Sequence, residues 1–147
     1  MKTRHGAFRA LTYALFVFLA TACAKPAEFT PENGVLDLAK AIPGDWDRVC
    51  ILNPYTTNSL AKEVVGIPVN VQMRSDIPTS DSITLLVTVD DDDVHELVEV
   101  SRNIADFTPV GGECFEYSDA RFSVTESGHR YARPVEAGVK ENATRSS

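Results

Sequence analysis

The chain has 147 residues, of which 21 are acidic and 14 are basic, so its formal net charge is −7. Nucleic-acid binding depends on lysine and arginine that neutralise phosphates, so this balance argues against a nucleic-acid partner. The surplus of negative charge argues equally against a domain that lies flat on anionic lipid.

The first 22 residues are typical of an export signal. The opening MKTRHGAFR carries three basic residues and no acid, and ALTYALFVFLA at 10–20 is uncharged. A permanent membrane helix needs about 20 apolar residues, which this run does not reach. A basic start, a short apolar core and small residues before the cut mark a secretory signal peptide. We therefore predict that residues 1–22 are removed.

The residues around the predicted cut resemble the lipobox of bacterial lipoproteins. Ala20, Thr21 and Ala22 are small residues that precede Cys23, the position where that motif has an obligatory cysteine. The resemblance implies a diacylglycerol on the Cys23 sulfur. It also implies an outer-membrane location, because Ala24 stands where Asp would favour retention in the inner membrane. Cleavage by ordinary signal peptidase, which would give a soluble periplasmic protein, is the alternative.

Cysteine parity favours lipidation. The chain has three cysteines, and an exported protein with an odd number leaves one thiol to be explained. With lipid on Cys23, the remaining Cys50 and Cys114 form an even set. We predict that they form a disulfide, which an oxidising envelope permits; two separate buried thiols are the alternative.

The mature chain is more acidic than the whole. The predicted signal contains three of the 14 basic residues and no acid, so 11 basic residues remain against 21 acidic ones, a net charge of −10. Residues 23–30 are predicted to be a lipidated tether. Residues 31–133 are predicted to form a single domain, and residues 134–147, which are poor in large apolar side chains, a disordered tail.

The first half of the domain predicts two helices and a strand. Thr30 and Pro31 form a helix start, and Pro43-Gly44 ends that helix after residue 42. WDRVCIL at 46–52 predicts a buried strand. Residues 58–65 predict a second helix, with Leu60, Ala61, Val64 and Val65 facing inward and Gly66 as its stop.

The second half predicts strands. Apolar and polar residues alternate over 69–74, which indicates a strand with one wet face. ITLLVTV at 83–89 predicts a central strand, with 94–101 as its hairpin partner, and 122–125 with 129–133 predict a last hairpin around Ser127-Gly128. Helices early and a meander late predict an α+β domain: two short helices packed on a mostly antiparallel sheet of about five to six strands.

The most conspicuous polar run is Asp90-Asp91-Asp92-Asp93. Successive side chains of an extended chain point to opposite faces, so four neighbours do not converge on one calcium ion. The run is therefore predicted to be a solvated hairpin turn. The histidines and cysteines also lack the spacing of a zinc site, and no metal or cofactor is predicted.

A second group of residues suggests an interaction patch. Trp46, Arg48 and Tyr55, together with the acidic run Asp90–Asp93, combine aromatic and charged side chains of the kind enriched at interfaces. The segments PGDWDRVCILNPYTTNSL, ITLLVTV and CFEYSDARF loosely resemble small envelope lipoproteins of proteobacteria, over residues 37–124. That group brings no assigned activity with it.

These observations predict a lipid-anchored envelope lipoprotein with a non-catalytic binding role, such as an accessory subunit or an inhibitor of a basic enzyme. No nucleophile-elbow, dinucleotide-binding or P-loop motif is present. The alternative is a small periplasm-facing hydrolase, which would need a pocket that holds His95 or His129 against an acid and a serine.

Overall fold

The computed structural model of the protein describes residues 23–26, 28–125 and 128–136. Parts of three predictions lie outside the described residues: the signal peptide predicted for residues 1–22, Ser127 of the last predicted turn, and residues 137–147 of the predicted tail. Within them the chain forms two β-sheets and three helices, which confirms the predicted α+β class.

The larger sheet has five strands in the order β1-β5-β4-β3-β6. Their bounds are β1 Lys25–Pro26, β3 Arg48–Leu52, β4 Ile83–Asp90, β5 Asp93–Ser101 and β6 Cys114–Glu116. Strand β4 is central and pairs antiparallel with β5 and β3, as its apolar sequence predicts. Strand β1 pairs parallel with the outer side of β5.

The smaller sheet has three antiparallel strands in the order β2-β7-β8. They are β2 Val35–Asp37, β7 Arg121–Val124 and β8 Ala132–Pro134. The pairing of β7 with β8 agrees with the predicted last hairpin. The strands thus divide between two sheets, whereas the sequence predicted one.

The predicted helix over 30–42 is wrong in its first part, because only α1, Leu38–Ala41, is helical. Asn33 and Gly34 have φ angles of 52° and 73°, the left-handed values that a tight turn requires. Glu32 and Val35 exchange backbone hydrogen bonds across them. Asn-Gly is a strong hairpin signal, and here it overrides the helical periodicity and lets Val35–Asp37 pair with β7.

Helix α2, Asn58–Val65, has the predicted bounds. The Thr57 side chain accepts a hydrogen bond from the backbone N–H of Leu60, and Gly66 ends the helix in the left-handed conformation, with φ 85°. Ala61 and Val65 are buried as predicted, but Leu60 is 50 % exposed.

The strand predicted from the alternation at 69–74 is wrong, because Val71–Arg74 form the short helix α3. The Asn70 side chain caps this helix by accepting from the N–H of Met73, and the Asn58 side chain accepts from Gln72. These caps override the period-two pattern, and Met73, predicted on the same face as Val71, is 80 % exposed.

The core lies on both faces of the larger sheet. Along β4, Leu85, Val87 and Val89 join the cluster that packs under α2 and α3. Leu86 points the other way, into the cluster between the two sheets that contains Phe107 and Phe122. A strand covered on both faces needs apolar residues throughout, which explains ITLLVTV. Functional groups are therefore left to the ends and edges of the sheet.

Candidate functional site

The segment after Cys23 is fastened to the edge of the larger sheet. Cys23 is exposed and has a free thiol. The N–H of Ala24 donates to the carbonyl of Arg74, and the Lys25 Nζ atom lies 2.7 Å from Glu96 Oε1. Lys25 and Pro26 pair with Val98 and Glu99 of β5. The Cys23 sulfur is therefore presented at a fixed edge of the domain.

Cys50 and Cys114 form a disulfide, as predicted. Cys50 is buried on β3, whereas Cys114 is exposed on the outermost strand, β6, directly opposite it. The Cys114 Sγ atom lies 3.5 Å from the carbonyl oxygen of Val64 in α2. The disulfide thus joins the edge strand to the core strand beside that helix.

The acidic run lies at one end of the larger sheet, in the turn that connects β4 to β5. Asp91 has a φ of 51°, and its N–H donates to Asp47 Oδ2 at 2.7 Å. The Arg48 guanidinium donates to the backbone carbonyls of Asp91 and Val65 at 3.4 and 3.3 Å. Arg48 therefore braces this turn, while the carboxylates of Asp90–Asp93 face solvent.

An open surface groove adjoins this turn. Its walls carry Asp45, Asp47, Asp90 and Glu116, all exposed, and its aromatic part consists of Trp46 and Tyr117. The two rings meet edge to face with centroids 4.6 Å apart; Trp46 is buried, whereas Tyr117 is 43 % exposed. We call this feature the acidic groove. Carboxylates around an exposed aromatic ring suit a cationic side chain.

The structure brings together most, but not all, of the predicted patch. Trp46, Arg48 and Asp90–Asp93 share one end of the larger sheet. Tyr55 follows the other end of β3, where its N–H donates to the carbonyl of Ile77, so a strand of about 17 Å separates it from them. Glu116 and Tyr117 were missed. The Cys50–Cys114 pair carries the signal for them, because antiparallel register from that pair places Glu116 opposite Arg48.

A second feature lies at the opposite end of β4 and β5. A cavity of about 360 Å³ is lined by Asp81, Ser82, Arg102, Asp106, His129 and Arg130. We call it the arginine cleft. Its residues come from three segments distant in sequence: the loop before β4, the loop after β5 and the approach to β8.

Asp106 is the buried centre of the arginine cleft, with 2 % of its surface exposed. Its carboxylate accepts hydrogen bonds from Arg102 Nη2 and the Thr108 N–H, each at 3.0 Å, and from the Thr108 hydroxyl. Burial alone would raise the pKa of Asp106, but these hydrogen bonds outweigh it and hold that pKa below its ordinary value. The hydrogen bond to Asp106 raises the pKa of Arg102 in turn.

The arginine cleft contains a serine, a histidine and an acid, the residue types that the hydrolase alternative needs. Their side chains are not hydrogen-bonded to one another as a nucleophile and its base. Ser82 Oγ lies 3.0 Å from Ser80 Oγ, and the His129 ring packs edge to face on Tyr131. The Asp106 carboxylate is occupied by Arg102 and Thr108. His95 lies elsewhere, with Nε2 3.4 Å from the carbonyl oxygen of Pro43. Among the described residues, neither histidine is hydrogen-bonded to a serine and an acid in the manner of an activated nucleophile.

The described ranges of the chain contain neither a metal-ligand cluster nor a membrane-spanning helix. No group of three or more histidine, cysteine, aspartate or glutamate side chains there is placed to hold a metal ion. No helix in those ranges is both long and apolar enough to cross a membrane. Comparison with protein-family models, curated proteins and solved structures found no match for this chain.

Proposed function

We propose that this chain is a bacterial outer-membrane lipoprotein, anchored by lipid on Cys23, that binds a basic protein through the acidic groove as an accessory subunit or inhibitor. The supporting observation is the groove itself, in which four exposed carboxylates surround the exposed Tyr117 ring. The cation beside it, Arg48, donates to backbone carbonyls and not to the groove carboxylates, of which Asp47 accepts the Asp91 N–H.

Cys23 is exposed at the β1 edge of the larger sheet, a position that suits a lipid anchor. Each buried CH₂ of an acyl chain contributes about 0.8 kcal/mol, so two or three chains hold a protein durably at a bilayer. Lys25 and Pro26 pair with β5, so the acyl chains would emerge at the β1 edge of the sheet. Strand β6 is four strand spacings away, about 19 Å. Glu116 and Tyr117, in and just after β6, therefore lie across the sheet from Cys23, which itself lines a small pocket with Pro43 and His95.

The mature protein, isolated from the membrane fraction of its native host, should begin at Cys23 and carry two or three acyl chains. Intact-mass measurement checks this directly. The Cys23→Ser variant should lack the lipid mass and leave the membrane fraction, because the described residues offer no spanning helix as a substitute. A lipid-free wild-type mass would remove the anchor from the proposal and leave a soluble periplasmic protein.

Neutralising the acidic groove should weaken association with the basic partner. The variant Asp45→Asn/Asp90→Asn/Asp92→Asn/Glu116→Gln removes three charges of the groove and that of Asp92 in the adjoining turn. It retains Asp47, whose carboxylate holds the β4–β5 turn. We expect the association rate to fall about tenfold at low salt, because charge complementarity acts chiefly on the rate of encounter. At about 0.5 M salt the wild type and the variant should associate with the partner at the same slow rate, because salt screens the attraction between the charges.

The partner is found by placing a photo-crosslinking amino acid at Ser118 in the groove, with Ser59 on α2 as the control position, in cells. A matched charge control changes Glu28, Glu32, Glu63 and Glu136 to glutamine; all four are exposed and lie outside the groove. One basic protein recovered at 118, lost in the groove variant and kept in the control, supports the proposal. Equal loss in both variants would mean that net charge, not the groove, directs binding.

A further inference from the structure

We infer that the arginine cleft is a second binding site, for a small molecule that carries a carboxylate or phosphate oxyanion. It is separate from the acidic groove. Asp81 and Ser82 precede β4, whereas Asp90 ends it, so the eight residues of β4 place the two features about 26 Å apart. The inference does not depend on the protein partner proposed above.

The two arginines of the cleft differ in whether an acidic side chain neutralises them. Arg102 is committed: Nη1 donates to the carbonyl of Asp81 at 2.9 Å, and Nη2 to Asp106. Arg130 takes part in none of the ion pairs among the described residues. The Nε atoms of both arginines are buried and have no hydrogen-bond partner among the described residues, but only Arg102 is paired with a carboxylate there. A guanidinium that has lost part of its hydration without gaining a counter-charge is unfavourable, and an oxyanion in the cleft would supply that charge.

The backbone around Arg130 is held in place for such a role. The carbonyl of Arg130 accepts from the Asp106 N–H at 2.7 Å, and the carbonyl of Asp106 accepts from the Ala132 N–H at 2.8 Å. A buried residue therefore fixes the chain on both sides of Tyr131. A positioned side chain loses less freedom on binding, which is the condition for a precise site.

The chemistry and size of the cleft indicate the ligand class. A guanidinium is planar and matches a carboxylate or a phosphate with two parallel hydrogen bonds. The Ser82 hydroxyl, the Asn103 amide and the His129 ring also line the cleft and can donate to the same group. The cavity of about 360 Å³ falls within the range of small-molecule sites, roughly 300–1,000 Å³.

The cleft also contains an acid that opposes an anion. Asp106 is neutralised by Arg102, but Asp81 is exposed and lies on the rim. Its charge predicts the sign of a second test. Asp81→Asn should strengthen oxyanion binding, about two- to fivefold, because it removes a repulsion across a partly solvated distance.

The experiment is a titration of the ¹⁵N-labelled mature chain, followed by backbone amide shifts, with inorganic phosphate in one arm and succinate in the other. We expect saturable shifts at Ser82, Asn103 and Arg130 with a Kd in the low millimolar range or tighter. Arg130→Gln should weaken binding at least about tenfold, because it removes a charged hydrogen-bonding partner. Arg133→Gln removes the same charge at an exposed position outside the cleft and should leave binding unchanged.

The two arms separate the sources of the oxyanion. Saturation by phosphate alone assigns a phosphorylated ligand, saturation by succinate alone assigns a carboxylic acid, and saturation by both supports the shared chemistry. No saturable shift in either arm overturns the inference. So does equal weakening by Arg130→Gln and Arg133→Gln, or weaker binding in Asp81→Asn. The amide spectrum of each variant shows in the same data whether it is folded.

Discussion

Loss of the Cys50–Cys114 disulfide should lower the free energy of unfolding by about 4 kcal/mol, a large part of the roughly 5–15 kcal/mol that stabilises a domain. The two cysteines are 64 residues apart, so the bond closes a long loop in a chain of 147 residues. In the chain-entropy model the effect grows with loop length, because a longer closed loop excludes more of the unfolded ensemble. Denaturant unfolding of the oxidised and reduced protein measures it.

A single substitution separates loop closure from packing. Cys114 is exposed whereas Cys50 is fully buried, so Cys114→Ser breaks the bond without opening a cavity in the core. We expect β6 to lose amide-exchange protection first. It is a short edge strand, paired with β3 through three residues and packed through the contact of Phe115 with Phe122. Strands β4 and β5 should keep theirs. A loss below about 1 kcal/mol would show that β6 is held by other contacts.

Replacing Asp106 by asparagine should cost about 2–3 kcal/mol near neutral pH and flatten the acid side of the stability profile. The folded-state pKa of Asp106 lies below its unfolded value, which is near 3.9. Its contribution is therefore complete above about pH 4 and is lost as pH falls through the folded pKa. The wild type should lose stability over that window, and Asp106→Asn should converge with it at low pH.

Chemical denaturation at a series of pH values from neutrality to about pH 2 tests this linkage. Asp119→Asn is the matched control, because Asp119 is exposed and has no ion pair among the described residues. Its profile should follow that of the wild type. If the profile of Asp106→Asn ran parallel to the wild-type curve, the acid sensitivity would arise from other carboxylates.

The reliable parts of the sequence-based prediction were those with strong local chemistry. The run at 83–89 could only be a strand covered on both faces, and Gly66 could end α2 because it adopts a positive φ at no cost. The helix predicted over 30–42 was wrong in its first part because Asn33-Gly34 form a tight turn, which the helical spacing of the apolar residues does not reveal. Residues 69–74 failed because Asn70 and Asn58 act as caps, and capping side chains leave no periodic pattern.

The two candidate sites differ in the same way, since one has a local sequence signal and the other is built from distant segments. The acidic turn was predictable because its four aspartates are contiguous between two clear strands. The arginine cleft was not, because three distant loops build it and its centre, Asp106, lies in unremarkable sequence. Two local signals do exist. Arg102 and Asp106 are four residues apart, and an aspartate commonly accepts a hydrogen bond from the backbone N–H two residues later, as Asp106 does from Thr108.

Strand β1 has a further consequence, for the behaviour of the protein at high concentration. Strand β5 has nine residues, and β1 pairs with only Val98 and Glu99 on its outer side. An open strand edge is a template on which another chain can pair. Here Pro26, which has no N–H to offer, and the Lys25–Glu96 ion pair oppose such pairing along the part of the edge that β1 covers. The segment that follows Cys23 thus covers two of the nine residues along this edge and opposes pairing with another chain there.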